Sequence, residues 1–224
     1  MATRRTYGDG CAIAHGLDLV GERWALLVVR ELLLGPKRFT DLKKGLPNGS
    51  PNVISERLRE LEAAGVVTRD KLPPPAGSRV YALTEWGREL EDTVMALGRW
   101  AARSPSLPRD APIGADSTVL ALRARFDARA AEGLRATYAL RLGEDRFRVA
   151  VSDDEIELAR GDAHRPDATI DTDPGTLAAV LWNGRPLADA ERAGDMAIEG
   201  DQAAVERLVR LFPAPEPIAA AASS

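Results

Sequence analysis

Residues 50–69, SPNVISERLRELEAAGVVTR, constrain the fold more than any other stretch of this chain. They hold, in order, a helix start, an amphipathic helix, a helix stop and the entry to a strand. Ser50 can accept from the first free amide groups of a helix, and Pro51 has a preset φ and no N–H to leave unpaired. Ile54, Leu58 and Leu61 recur at helical spacing and form an apolar stripe, while Asn52, Ser55, Glu56 and Arg59 fall on the other side. Gly65 supplies a left-handed stop, and Val66 can touch Leu61 as a Schellman motif requires. Such a helix is either a surface helix with a solvated polar face or a DNA-recognition helix, and the flanking segments decide between them.

Upstream, residues 11–20 open a first helix with Ile13, Leu17, Val20 and Trp24 on one side and Gly21 as a bend or break. The segment 22–35, ERWALLVVRELLLG, is apolar nearly all round and reads as a central buried helix ended by Gly35 and Pro36. Thr40 is read as the cap of a short helix whose inner face is Phe39, Leu42 and Leu46. Downstream, 66–71 and 79–83 read as the strands of a hairpin whose tip is LPPPAGS. Thr84 then caps a long helix to about Arg103, with Trp86, Leu90, Val94, Leu97 and Ala101 in a stripe. That stripe packs on its own domain or forms a two-fold dimer, and its length over several turns favours the dimer.

The chain has 224 residues, which implies two domains. Residues 104–117, rich in proline and small residues, read as the linker between a domain at 10–103 and another at 118–212, with a flexible tail at 213–224. Of the chain's 30 basic and 34 acidic residues, 16 and 13 lie in 1–103, which leaves 14 and 21 for the remainder. The basic excess therefore sits with the recognition-helix candidate, and a chain of net charge −4 can still bind DNA through one basic face. The single cysteine, Cys11, excludes an intrachain disulfide and a multi-cysteine zinc site. No stretch is long and apolar enough to span a membrane, so the expectation is a cytoplasmic protein with no cofactor.

In the second half, a helix at 119–126 precedes alternating strand patterns carrying Leu134, Ala136, Tyr138, Leu140 and Leu142, then FRVAVS, EIELARG and ATIDT. Helices follow at 174–182, 186–193 and 201–212, with the short strand MAIEG between the last two. The order predicts an α+β domain with helices on one face of an antiparallel sheet. The acidic cluster Asp153, Asp154 and Glu155 has no positioned histidine or glycine-rich phosphate loop and reads as a solvated turn, so an enzyme is not expected.

Helix, buried helix, short helix, recognition helix, hairpin and long helix is the winged helix-turn-helix order. The motifs C-x3-H-x-L-D-L-V-G-x-R-W, LLLGPKRFTDL, SPNVISERLRELEAAGVV and RVYALTEWGREL, over about residues 10–103, resemble the HxlR-type bacterial transcription regulators. The second half, through PDATIDTDPGTLAAVLWNGRPL and GDMAIEGDQAAVERLVRLF, resembles the sterol-carrier-protein type of lipid-binding domain, which implies an apolar cavity between sheet and helices and no catalytic centre.

On this reading a homodimer binds double-stranded DNA at an inverted repeat. Ser50, Pro51, Asn52, Ser55 and Arg59 meet the major groove, with Thr40 beside them. Arg57, nearer the apolar side, supports the fold or touches a phosphate. Arg69, Lys71 and Arg79 on the wing take phosphate or the minor groove, and Lys37, Arg38 and Lys43 are secondary candidates. The resemblance also implies a redox role for Cys11, although the sequence shows neither exposure nor a lowered pKa for it. Tyr138, Phe147 and Trp182 line a pocket for an apolar effector or belong to the core. The alternative is a carrier of lipid or other apolar ligands whose winged domain makes protein contacts only.

Overall fold

The computed structural model describes residues 6–71 and 77–218, in two compact units that divide between Val94 and Met95. The LPPP of the hairpin tip and Ala76, the first five residues, and the tail from Ala219 onward lie outside the described residues.

The first unit runs α1 (Ala12–Val20), α2 (Ala25–Leu32), α3 (Phe39–Gly45), α4 (Pro51–Ala63), β1 (Val67–Lys71), β2 (Arg79–Leu83), α5 (Glu85–Arg88) and the start of α6 (Leu90–Ala101). Its core gathers Val28, Val29 and Leu32 of α2, Leu42 of α3, Ile54, Leu58 and Leu61 of α4, and Val66, Val67 and Leu83 of the wing. These are the apolar positions whose helical and alternating spacing forms one face on each element. Strands β1 and β2 pair antiparallel, with Val67 opposite Leu83 and Lys71 opposite Arg79. A bridge from Lys37 to Tyr81 ties the α2–α3 connection to the wing through two backbone hydrogen bonds of 2.8 and 3.0 Å.

Two local expectations change. Thr40 lies inside the first turn of α3, and the N-cap is Arg38, whose side chain makes no capping bond. The long helix after Thr84 is divided into α5 and α6 at Glu89, whose N–H reaches only three residues back to Trp86. Thr84 fixes the first piece: its hydroxyl donates to the Gly65 carbonyl at 2.7 Å and accepts from the Gly87 N–H at 2.9 Å. A Cβ on Gly87 would fall 2.1 Å from the Val66 carbonyl oxygen, so this close approach requires glycine.

The second unit holds α7 (Ala115–Arg125), β3 (Arg135–Leu142), β4 (Asp145–Ser152), β5 (Glu155–Arg160), β6 (Ala168–Thr172), α8 (Pro174–Trp182), α9 (Leu187–Arg192), β7 (Met196–Gly200) and α10 (Gln202–Arg210). Its sheet has the order β5-β4-β3-β6-β7. The β3–β6 pair is parallel, so the sheet is mixed and not wholly antiparallel. The cause is topological: the β3-β4-β5 meander builds outward from one edge of β3, and the chain returns to fill the other edge. Alternation of residue types specifies which side chains face the core, but not the order of strands. Tyr138, Leu140, Phe147, Val149, Val151 and Ile170 turn to the helix-covered face, while Arg141–Asp171 and Arg148–Glu157 pair at the surface.

Asp116, within the segment read as a linker, is buried in α7 and ion-paired with Arg160. Residues 213–218, read as part of a flexible tail, are tied back: the Ile218 N–H donates to the Arg103 carbonyl at 3.0 Å, and Arg103 Nε donates to the Glu216 carbonyl at 3.2 Å. Asp153, which pairs with Arg135 at 2.7 Å, sits in the turn between β4 and β5 with a φ of 54°.

Helix α8 starts on Asp173, whose carboxylate accepts from the amides of Gly175 and Thr176 and from the Thr176 hydroxyl, at 2.6–3.0 Å. Partial burial raises the pKa of this carboxyl, and the hydrogen bonds from Thr176 and Gly175 outweigh that and hold it below the ordinary value. Because the folded pKa is depressed, the cap stabilises fully above the unfolded carboxylate pKa of about 3.9 and is lost as pH falls through the folded value. Asp173→Ala is expected to cost about 1 kcal/mol at neutral pH, and progressively less as acid protonates the folded carboxyl, in denaturant melts of the purified protein.

Candidate nucleic-acid interface

Helix α4 is built by its ends. The Ser50 hydroxyl accepts from the Val53 N–H at 3.3 Å, and Pro51 occupies the first turn. At the other end Gly65 adopts φ 75°, the Val66 N–H reaches the Leu61 carbonyl at 2.9 Å and the Gly65 N–H reaches Glu62 at 3.0 Å, the two bonds of a Schellman motif. Ile54, Leu58 and Leu61 are buried, which leaves Asn52, Glu56 and Arg59 exposed and Ser55 half-buried. Ser50, Pro51 and Thr40 are also exposed. The Arg59 guanidinium lies along its own helix, with Nε 3.4 Å from the Ser55 carbonyl.

Arg57 does not join that surface. It is buried and paired with Glu60, and its Nη1 lies 4.0 Å from Glu22. This arginine fastens α4 to the α1–α2 connection, so its place is in the scaffold. Lys37 is likewise buried, with Nζ 2.6 Å from Glu31, a carboxylate only 2% exposed that also takes Arg30 at 2.8 Å. Gly45 leaves room for that carboxylate, since a Cβ there would meet Oε2 at 2.1 Å. The pair joins α2 to the bridge beside the wing while α3 closes over it. Lys43 turns to its own helix end, 3.0 Å from the Pro47 carbonyl, and holds the turn between α3 and α4.

On the wing, Arg69, Lys71 and Arg79 are exposed. Arg69 reaches Glu62 at 3.1 Å and rests over Tyr81 at 5.3 Å. Lys71 and Arg79 stand directly opposite each other across the hairpin. Like charges so placed oppose the pairing of their strands, and an anion laid along the wing relieves them.

The match to known proteins falls on these elements. Residues 19–106 fit the HxlR-like helix-turn-helix family model, and the HTH-type transcriptional regulator YvaP of Bacillus subtilis is 41% identical over 85 residues, covering 38% of this chain and 79% of YvaP. The chain belongs to the HxlR-like helix-turn-helix family. The reduced form of the transcriptional regulator YodB from B. subtilis is 32% identical with a TM-score of 0.39, covering 44% of this chain and 97% of YodB. Outside the HxlR-like part, residues 117–218 match the alkyl sulfatase C-terminal family model, and the family matched there is this one where a sterol-carrier type was expected. The sec-alkylsulfatase Pisa1 from Pseudomonas sp. is 17% identical over 44% of this chain, which spans only 16% of Pisa1, with a TM-score of 0.39.

Cys11 immediately precedes α1 and is exposed. The amide groups of Ala14 and Ile13 face its sulfur and lower the thiol pKa, although neither closes a full capping hydrogen bond. In the second unit an apolar cavity of about 20 Å³ lies between sheet and helices, lined by Leu122, Tyr138, Leu140, Ile170, Leu181 and Phe212 among others. That is room for about one water. Of the three expected lining residues only Tyr138 faces it, and its hydroxyl donates to the Ala204 carbonyl at 3.0 Å. Phe147 lies toward the β4–β5 end beneath the Arg160 guanidinium, 4.9 Å from its ring centroid, and Trp182 lies beneath Arg125. Among the described residues no helix is long and apolar enough to cross a membrane.

Proposed function

We propose that the chain is a homodimeric transcriptional regulator that binds an inverted-repeat operator, with residues 10–103 reading DNA and residues 118–212 forming a regulatory domain. The observation that carries this is the capped helix α4, with Asn52, Ser55 and Arg59 on its open face beside a wing that exposes Arg69, Lys71 and Arg79. Asn52 has the amide that pairs with adenine, Arg59 reaches guanine or phosphate, and Ser50, Pro51 and Thr40 pack against the backbone at the helix entry. Dimerisation is supported by exposed apolar side chains: Ile13 is 76% and Leu17 46% exposed on α1, and Trp100 is 75% exposed on α6. Two recognition helices about 34 Å apart then meet successive major grooves. Arg59→Ala is expected to lower operator affinity by about 1–3 kcal/mol while leaving binding to scrambled DNA nearly unchanged, measured by fluorescence anisotropy. Equal isotherms for the folded variant and the wild type would remove Arg59 from the reading surface.

A second reading is carried by the exposure of Cys11 and its lowered pKa: the thiolate reacts with oxidants or electrophiles and alters operator binding. Diamide is expected to release the wild-type protein from DNA and to leave Cys11→Ser bound. Release of both proteins would place the effect elsewhere.

A further inference from the structure

A pocket of about 230 Å³ lies within the first unit, between α1 and the junction of α5 with α6. The cavity of the second unit, at about 20 Å³, is less than a tenth of that size. Leu19 and Val20 of α1, Val66 and Leu90 give the pocket apolar walls. Gly16 leaves the α1 side open, since a Cβ there would meet nothing within 4 Å. The indole of Trp86, 51% exposed, forms a further wall, and Glu89 brings the one charge in the described lining. The Glu89 carboxylate makes no hydrogen bond or ion pair with any described residue.

The walls are held in place before any ligand arrives. Thr84 ties the start of α5 to the Gly65 carbonyl, and Gly87 sits against the Val66 carbonyl, so Trp86 and Glu89 are fixed beside the end of α4. The chemistry of the lining then selects the occupant. A neutral apolar molecule would take water from Glu89 and return nothing, and an anion would add repulsion. A metal ion needs several oxygen ligands, which one carboxylate does not supply. An organic cation pairs with the carboxylate and is drawn to the face of the indole, while its apolar body covers the leucine and valine walls. An apolar cavity of about 150 Å³ holds benzene, so this pocket admits one ring with a short charged arm.

We propose that Trp86 and Glu89, with the apolar walls of α1 and Val66, form a binding site for a small aromatic amine in its ammonium form. Val66 both closes α4 and opens the wing, so a ligand that binds the free and DNA-bound conformations unequally shifts operator affinity from here. The proposal rests on the regulator reading only for that consequence, and binding is measured without DNA so that either can fail alone.

The test is calorimetric titration of the full chain with phenethylamine, with phenethyl alcohol as the neutral match and 3-phenylpropionate as the anionic one. The amine is expected to bind one per chain, about tenfold tighter than the alcohol and tighter still than the acid. Glu89→Gln should bring the amine down to about the affinity of the alcohol and leave the alcohol unchanged. Gly16→Leu, which fills the pocket from a helix position that tolerates a Cβ, should weaken amine and alcohol alike. The alcohol binding as tightly as the amine would overturn the cation preference, and unchanged amine affinity in both folded variants would overturn the site. Failure of the amine to bind, with Gly16→Leu shifting the chain to monomer in sedimentation, would give this face to a second copy of the chain and overturn the proposal.

Discussion

Lys37→Met is expected to destabilise the winged unit by about 3–5 kcal/mol, a large share of a domain's total stability. The substitution leaves the Glu31 carboxylate, 2% exposed, with Arg30 as its remaining partner at the edge of the core. The loss is not a measure of what the ion pair adds, because the desolvation of both charges is already spent in the folded protein. The double variant Glu31→Leu with Lys37→Met removes both charges and is therefore expected to recover most of the loss. Urea melts of the single and double variants check this. A double variant as unstable as the single one would mean that the pair is needed for packing and not for charge balance.

Lys71→Ala combined with Arg79→Ala is expected to weaken DNA binding by one to three orders of magnitude at moderate salt, for operator and scrambled duplex alike. Each phosphate contact contributes about 0.9 to the slope of log affinity against log salt, and a dimer loses four cations. If all four neutralise phosphates, the slope drops by about 3.6, and partial engagement gives a smaller change in proportion. Stability should stay level or rise slightly, since the substitutions remove two like charges held opposite each other in the hairpin. A drop in operator affinity with an unchanged slope would assign the wing to shape or base contacts instead of phosphate.

Features whose causes lie within a few residues were legible in the chain itself. Ser50, Pro51, Gly65 and Val66 fixed both ends of α4 because capping is local hydrogen bonding and local backbone geometry. Arg59 and Arg57 were separated correctly by helical phase, one on the exposed face and one toward the core. Thr40 was misplaced by two positions, since a hydroxyl before an apolar run suits a cap or a first-turn site equally well. Lys37 was legible only as a surface cation, for its burial depends on Glu31 and on the space left by Gly45, partners that meet through tertiary packing. In the second unit, alternation found the inward face of each strand but could not reveal that β6 runs parallel to β3, nor that Phe147 and Trp182 lie away from the cavity. The buried Arg125 Nη1 and Trp182 Nε1 donors, which lack an acceptor, left no mark in the sequence, because an unmet hydrogen bond is a property of what surrounds a residue.

Binding of the intact protein to duplex DNA from its own promoter region, titrated with salt beside a scrambled duplex of equal length, tests the central claim most directly. Selective binding to the promoter DNA, with affinity falling steeply as salt rises and the scrambled duplex weaker by at least a thousandfold, is the predicted result. Weak, equal and salt-insensitive binding to both would contradict a DNA-reading role for α4 and the wing, and would favour a carrier of apolar ligands whose winged unit contacts proteins.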